Sequence, residues 1–166
     1  MIDELLSLYD EFYQTIGTAI KKMLNKIPRI VVIDLHSYNH LREGPGKPSA
    51  DADLNPEINV GTGTMNRTYW ASLVDRFIKD LGDYNYFDRS LDVRENIKFK
   101  GGYFSNWLHE NFSPQVCCMS IEFKKFFMDE WTGKPDEKHI TEIYTMLQST
   151  LPGIINELKK LSKSNR

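Results

Sequence analysis

Long apolar runs, a surplus of basic charge and a cysteine framework are all missing from this chain. None of its 166 residues belongs to an apolar run long enough to cross a bilayer. The opening Met1-Ile2-Asp3-Glu4 lacks the basic-then-apolar order of a signal peptide. With 21 Lys and Arg against 23 Asp and Glu, the formal charge of −2 argues against a nucleic-acid-binding surface. The two cysteines, Cys117 and Cys118, are adjacent and would sit on opposite sides of a strand, so they are poor partners for each other. Buried thiols in a soluble, cytoplasmic chain are the expectation. There is no internal repeat and no low-complexity segment, and the length suits one domain over 1–166 with a real core.

The most informative stretch is Ile30-Val31-Val32-Ile33-Asp34-Leu35-His36-Ser37-Tyr38-Asn39-His40. Four β-branched residues in succession read as a strand covered on both faces, as in a parallel sheet between helices. The strand is expected from Arg29 to about Leu35. Ligands of open α/β sheets bind beyond the carboxyl ends of such strands. Residues two apart share a face, so Asp34 and His36 point together, the arrangement of a metal-binding histidine with a nearby carboxylate. Ser37 and Tyr38 add a hydroxyl and a phenol.

Before this strand, apolar side chains from Ile2 to about Asn25 recur at helical spacing and predict a packing helix. After it, Leu41 to Pro56 is rich in Gly, Pro and Asp and reads as a long loop able to wall a site. Ile58-Asn59-Val60 is a short strand candidate, and the apolar spacing predicts a helix from about Asn66 to Leu81. Between them, Gly61-Thr62-Gly63-Thr64 is a glycine turn or, less specifically, a phosphate cradle; the third glycine and any Gly-Lys-Ser/Thr are absent. In Asp92–Lys100 an extended segment would place Arg94, Lys98 and Lys100 on one face, either to bind a substrate carboxylate or as a solvated surface. Gly101-Gly102 permits a close approach of backbone. A short helix is expected from Tyr103 to Asn111. Val116–Phe123 is a second strong strand, whose one charge, Glu122, comes at its carboxyl end. Such a carboxylate is either paired and structural or catalytic. A last helix starts near Glu137, with a kink or restart expected at Pro152 and fraying from Ser162.

Several blocks together resemble one family. Asp34 to His40, Asn55 to Gly63, Asp92 to Asn96, Lys100-Gly101-Gly102, Ile121 to Lys125 and Phe127 to Gly133 are similar to the N-formylglutamate amidohydrolases, over nearly the whole chain. The resemblance implies an α/β fold with a mixed, largely parallel sheet flanked by helices. It also implies a zinc-carboxypeptidase-like architecture of which this chain matches the carboxyl-terminal part. It implies zinc as cofactor, His36 as a ligand and Glu122 as general base in hydrolysis of a linear amide. Ser37, Tyr38, Arg94, Lys98, Gly101 and Gly102 are the candidates to hold a small acidic amide substrate. A catalytic zinc commonly has three protein ligands, and the family's other two, a His and a Glu, lie upstream of the matched part. No histidine precedes Ile30. Asp34, His40 or His109 could stand in; for His40 the alternative is a hydrogen bond within the loop, and for His109 and His139 surface or helix packing. A non-catalytic remnant acting as a binding or regulatory module is the other functional reading. An incomplete sheet exposes an edge or an apolar face, so the chain is expected to dimerise or aggregate.

Overall fold

The computed structural model describes residues 2–163. The elements are α1 (Ile2–Leu24), β1 (Ile30–Tyr38), β2 (Ile58–Gly61), α2 (Ala71–Asp83), β3 (Val93–Glu95), α3 (Tyr103–Phe112), β4 (Val116–Lys124) and α4 (Glu137–Lys163). The four strands form one open sheet in the order β1-β4-β2-β3. β1 runs parallel to β4 and β2 parallel to β3, while β2 and β4 are antiparallel. This is the mixed, largely parallel α/β sheet that the family resemblance implies, with β1 and β4 where the apolar runs predict strands.

Alternation along the strands sorts the side chains onto two faces. Cys117, Met119, Ile121 and Phe123 join Ile58, Val60 and the buried sides of α2 and α4 in the larger core. On the opposite face Ile30, Val116 and Cys118 meet Ile20 of α1 with Leu108 and Phe112 of α3 in a smaller one. That second layer covers only the lower half of its face. Higher up, the same alternation presents Asp34, His36, Ser120 and Glu122, which no helix covers with apolar groups.

Several elements differ from the sequence reading. β1 continues to Tyr38 because β4 accompanies it through nine register pairs, ending at Tyr38 opposite Lys124. α2 starts at Ala71, since Asn66 to Trp70 is a turn in which Tyr69 N–H donates to Asn66 Oδ1 at 3.0 Å. The extended segment after Asp92 ends at Glu95, where Asn96 takes a positive φ of 57°. Lys98 and Lys100 therefore do not continue the face of Arg94. α4 runs through Pro152 without a restart. Ser162 is helical and accepts from Arg29 Nη1 at 3.1 Å; the expected fraying of Ser164 to Arg166 falls outside the described residues. In α1, Ile16, Ile20 and Leu24 join the smaller core and the rings of Tyr9, Phe12 and Tyr13 touch Tyr103, Phe104 and Trp107 of α3, while Ile2, Leu5 and Leu6 are exposed and Tyr9 and Phe12 remain half-exposed.

The glycine turn after β2 has a steric purpose. A Cβ on Gly61 would lie 2.8 Å from Gly101 N, and one on Gly63 2.9 Å from Lys100 Cβ. Gly63 N–H donates to the Lys100 carbonyl at 2.6 Å. The glycines let two backbones touch, so they form no open anion cradle. Gly61→Ala is expected to destabilise the fold by about 1–3 kcal/mol, the usual range for overpacking. Urea denaturation measures this, and an unchanged midpoint would show that the Lys100–Gly101 turn yields freely.

Candidate functional site

The strand register builds the site. His36 is the β-partner of Glu122, Glu122 of Asn59, and Asn59 of Arg94. Residues directly opposite one another share a face, so these four side chains make one row across all four strands. The next row of this face holds Asp34, Ser120 and Gly61. Gly101 stands over Gly61 and closes that end.

Within the rows, His36 Nε2 lies 2.8 Å from Asp34 Oδ1, and Ser120 Oγ donates to Asp34 Oδ2 at 3.2 Å. The His36 side chain is 51% exposed and Asp34 16%. Glu122 is half-buried and, among the described residues, has neither an ion pair nor a hydrogen bond. Burial pushes its carboxyl above the ordinary range; His36 pulls it down and Asp34 pushes it further up. An unpaired, partly desolvated carboxylate beside an accessible imidazole is a group suited to exchange a proton.

The remaining candidates are more structural in their contacts. Arg94 donates to the Ala52 and Asp53 carbonyls at 2.5 and 2.8 Å and to Asp92, so its fork pins the loop before β2. Lys98 Nζ donates to Asn55 Oδ1 at 2.6 Å and lies 5.1 Å from the Tyr38 ring centroid. Burial and the nearby Arg42 hold its pKa below the usual lysine value. Tyr38 is buried and its hydroxyl donates to the Pro56 carbonyl. Ser37, by alternation, faces the α4 side, away from His36. Gly102 N–H donates to Ser105 Oγ at 3.1 Å, and Gly101 has a φ of 108°.

The other histidines have defined places. His40 Nδ1 lies 3.0 Å from Glu130 Oε1, and Glu130 also accepts the N–H groups of His40 and Leu41. Burial lowers the His40 pKa despite that carboxylate. His109 Nε2 accepts from Cys118 N–H at 2.9 Å, and its Nδ1 lies 3.0 Å from Thr64 Oγ1. It is a buried, neutral link between β4 and the glycine turn. His139 bonds the Tyr86 hydroxyl at 2.6 Å. Among the described residues no group of three or more His, Cys, Asp or Glu is arranged to hold a metal. Asp34 and His36 make a pair only, which does not by itself fit a catalytic zinc.

Sequence reasoning missed three contributors. Asn59 holds the segment above the row, accepting from Lys98 N–H at 2.9 Å and donating to the Phe99 carbonyl at 2.8 Å. Its place on the face with Gly61 was readable from alternation. Ser120 was readable in the same way, two residues before Glu122. Arg42 lines, with Ser37, Tyr38, Asn39, Leu41 and Trp131, a hollow at the end of β1. No spacing signal in the loop marks it.

The polar rows lie at the carboxyl ends of two parallel strands of a mixed α/β sheet, the place where open-sheet proteins generally bind ligands. The family model for N-formylglutamate amidohydrolase matches residues 3–128, and the chain belongs to that family. Among solved structures it is similar to N-formylglutamate amidohydrolase from Ralstonia eutropha JMP134, with a TM-score of 0.60 and 16% identity over 94% of this chain and 53% of that one. It is also similar to a gene product of Agrobacterium tumefaciens, with a TM-score of 0.56 and 17% identity over 88% and 51% of the two chains. The chain thus spans about half the length of the solved structures it matches. No curated protein sequence matches it. No helix among the described residues is long and apolar enough to cross a membrane.

The raised Glu122 carboxyl has a consequence for stability. The folded state holds more protons than the unfolded chain between the two pKa values, so stability falls as pH rises through that window. Glu122→Gln removes the cost. It is expected to raise the melting temperature at pH 7, with the gain vanishing as pH falls below the ordinary carboxylate range. Thermal melts across pH measure this, and a variant that melts lower at every pH would contradict it.

Proposed function

We propose that the chain carries the His36–Glu122 side of the active centre of a hydrolase of linear amide bonds, acting on a small acidic N-acyl substrate. The observation that supports this most is the unpartnered, partly buried Glu122 beside the exposed His36 in one register row. Family membership supplies the reaction class, and the substrate is taken from the family's name. Glu122 removes a proton from the attacking water as its oxygen bonds to the amide carbon. It returns that proton to the nitrogen as the carbon–nitrogen bond breaks, leaving a carboxylic acid and an amine, which exchange a proton to become carboxylate and ammonium. Lys98, over the Tyr38 ring, and Arg42, in the hollow at the end of β1, give the substrate's carboxylates an attractive field.

Zinc is proposed as the metal, with His36 one of its ligands. The described residues of a single chain leave that set short, and this favours a second reading, a binding module without turnover. Release of formate from N-formylglutamate separates the two. Glu122→Gln is expected to lower kcat by about 10²–10⁴-fold, the usual contribution of a general acid–base group. Full activity in that variant overturns the role of Glu122, and substrate binding without turnover in the parent chain overturns the hydrolase reading.

A further inference from the structure

β2 accompanies β4 from Ser120 to Phe123. Below Ser120 a side chain of α3 takes over as partner on that side: Cys118 N–H donates to His109 Nε2 at 2.9 Å. That bond fixes the protons of the imidazole. A ring nitrogen that accepts an N–H is bare, so in the neutral ring the hydrogen sits on Nδ1. Nδ1 lies 3.0 Å from Thr64 Oγ1 and donates to it. The Thr64 hydroxyl then donates to Ser105 Oγ at 3.2 Å. Ser105 Oγ donates to the Gly102 carbonyl at 3.0 Å and accepts Gly102 N–H at 3.1 Å. One hydrogen given and two taken fill the capacity of a hydroxyl. The relay therefore runs in one direction, from β4 to the glycine pair. Thr64 receives a hydrogen bond from the imidazole instead of donating one to it, so the two are not a nucleophile with its base.

The glycine pair rests on this relay. A Cβ on Gly101 would lie 2.9 Å from Ser105 Oγ and 3.3 Å from Thr64 Cγ2. Beside Thr64, Gly63 N–H holds the Lys100 carbonyl at 2.6 Å. Gly101 in turn stands over Gly61, in the row of Asp34 and Ser120.

We propose that His109 is a positioning residue: in its single neutral tautomer it latches the Lys100–Gly102 turn over the Asp34–Ser120 row, and a proton taken from solvent at Nε2 releases the turn. The bearing of the latch on turnover rests on the amide-hydrolase reading of the neighbouring Glu122; the latch itself does not. The added proton occupies the lone pair that Cys118 N–H needs, and two donors then face each other in a buried contact. Cys118 is held by its register with Val32, so the imidazole is the group that moves, and Thr64 loses its donor.

No charged side chain among the described residues acts on the imidazole. Burial holds it below the ordinary histidine value, and the Thr64 backbone pulls the other way. On the elements around it stand the Cys118 thiol of β4, pushed up to about 12 by burial, and Asp34 of β1, which acts on that thiol. Lys100 projects from the turn beside Gly63. Glu110 of α3 is exposed and accepts from Asn106. α1 packs against α3 through apolar and aromatic side chains. The unfolded chain takes up a proton that the folded chain refuses, so stability drops as pH falls below the ordinary histidine value.

Proton–nitrogen correlation spectra and amide-exchange protection of the full chain, followed downward through the histidine range, test this. His109 should carry its proton on Nδ1, with Nε2 bare. As it titrates, protection at Gly63, Gly102 and Cys118 should fall together by about tenfold, the scale of one lost hydrogen bond, while the α2 amides keep theirs. His109→Gln sets a carbonyl oxygen where Nε2 stood and should keep Cys118 protected at every pH. Thr64→Val should free Gly63 and Gly102 at every pH with Cys118 still protected. A proton on Nε2 in the neutral ring, protection that stays level through the titration, or a Thr64→Val chain with Gly102 as protected as in the parent overturns the proposal. In formate release, Thr64→Val should lower kcat by about tenfold or more, and His109→Gln should abolish the step in the pH profile that tracks the His109 signals. An unchanged kcat in Thr64→Val at every pH overturns the positioning role. A parent chain with the latch and without turnover overturns the hydrolase reading alone.

Discussion

The register between β1 and β4 is the constraint on which the rest depends. Nine consecutive pairs fix Ile30 against Val116 at one end and Tyr38 against Lys124 at the other. A slip of one residue would send every side chain of β1 to the opposite face. Val31 and Ile33 would leave the larger core, and Asp34 and His36 would be driven toward it. The apolar halves of the two strands hold the register, and the polar ends are carried into place by it. His36 meets Glu122 because Val32 meets Cys118 four residues earlier.

Polar side chains can occupy the upper half of this face because the second layer stops short. α3 has ten residues and descends from the glycine pair to the foot of β4. α1 follows it through Gly17 and Ile20, where Gly17 lies against the Trp107 ring. Above that level the even face of the sheet meets the arch from Asn96 to Gly102 and, beside Tyr38 and Arg94, the loop from Ala52 to Pro56. Asn59 holds the arch from below, and the bare backbones of Gly61 and Gly101 let it sit close. A partly desolvated carboxylate at Glu122 is therefore produced by the same shortfall in cover that leaves His36 open to solvent.

Much of this was legible in the chain and some was not, for physical reasons. Unbroken β-branched runs mark buried strands, so β1 and β4 were readable, and with them His36 and Glu122 as strand-end residues. The roles of Arg94 and Lys98 were not. Their alternation presumes continued strand, and Asn96, in a left-handed conformation, ends it. Arg94 then finds carbonyls of the preceding loop and Lys98 finds Asn55, partners some forty residues away that local spacing cannot reveal. The buried place of His109 was hidden likewise, since Thr64 and the Cys118 N–H meet it only through the tertiary fold. α1 shows the limit of periodicity. Its spacing announces an apolar face but not how much of that face has a partner.

The two uncovered surfaces differ in what they can specify. The front of α1 is apolar, with Leu5, Tyr9 and Phe12 exposed, and apolar contact is non-directional. Many surfaces would satisfy it equally well. The edge of β1 has outward hydrogen-bonding groups at fixed intervals and an acid–imidazole pair two residues apart. Directional groups therefore make the β1 edge the more informative surface, although α1 exposes more apolar side chains.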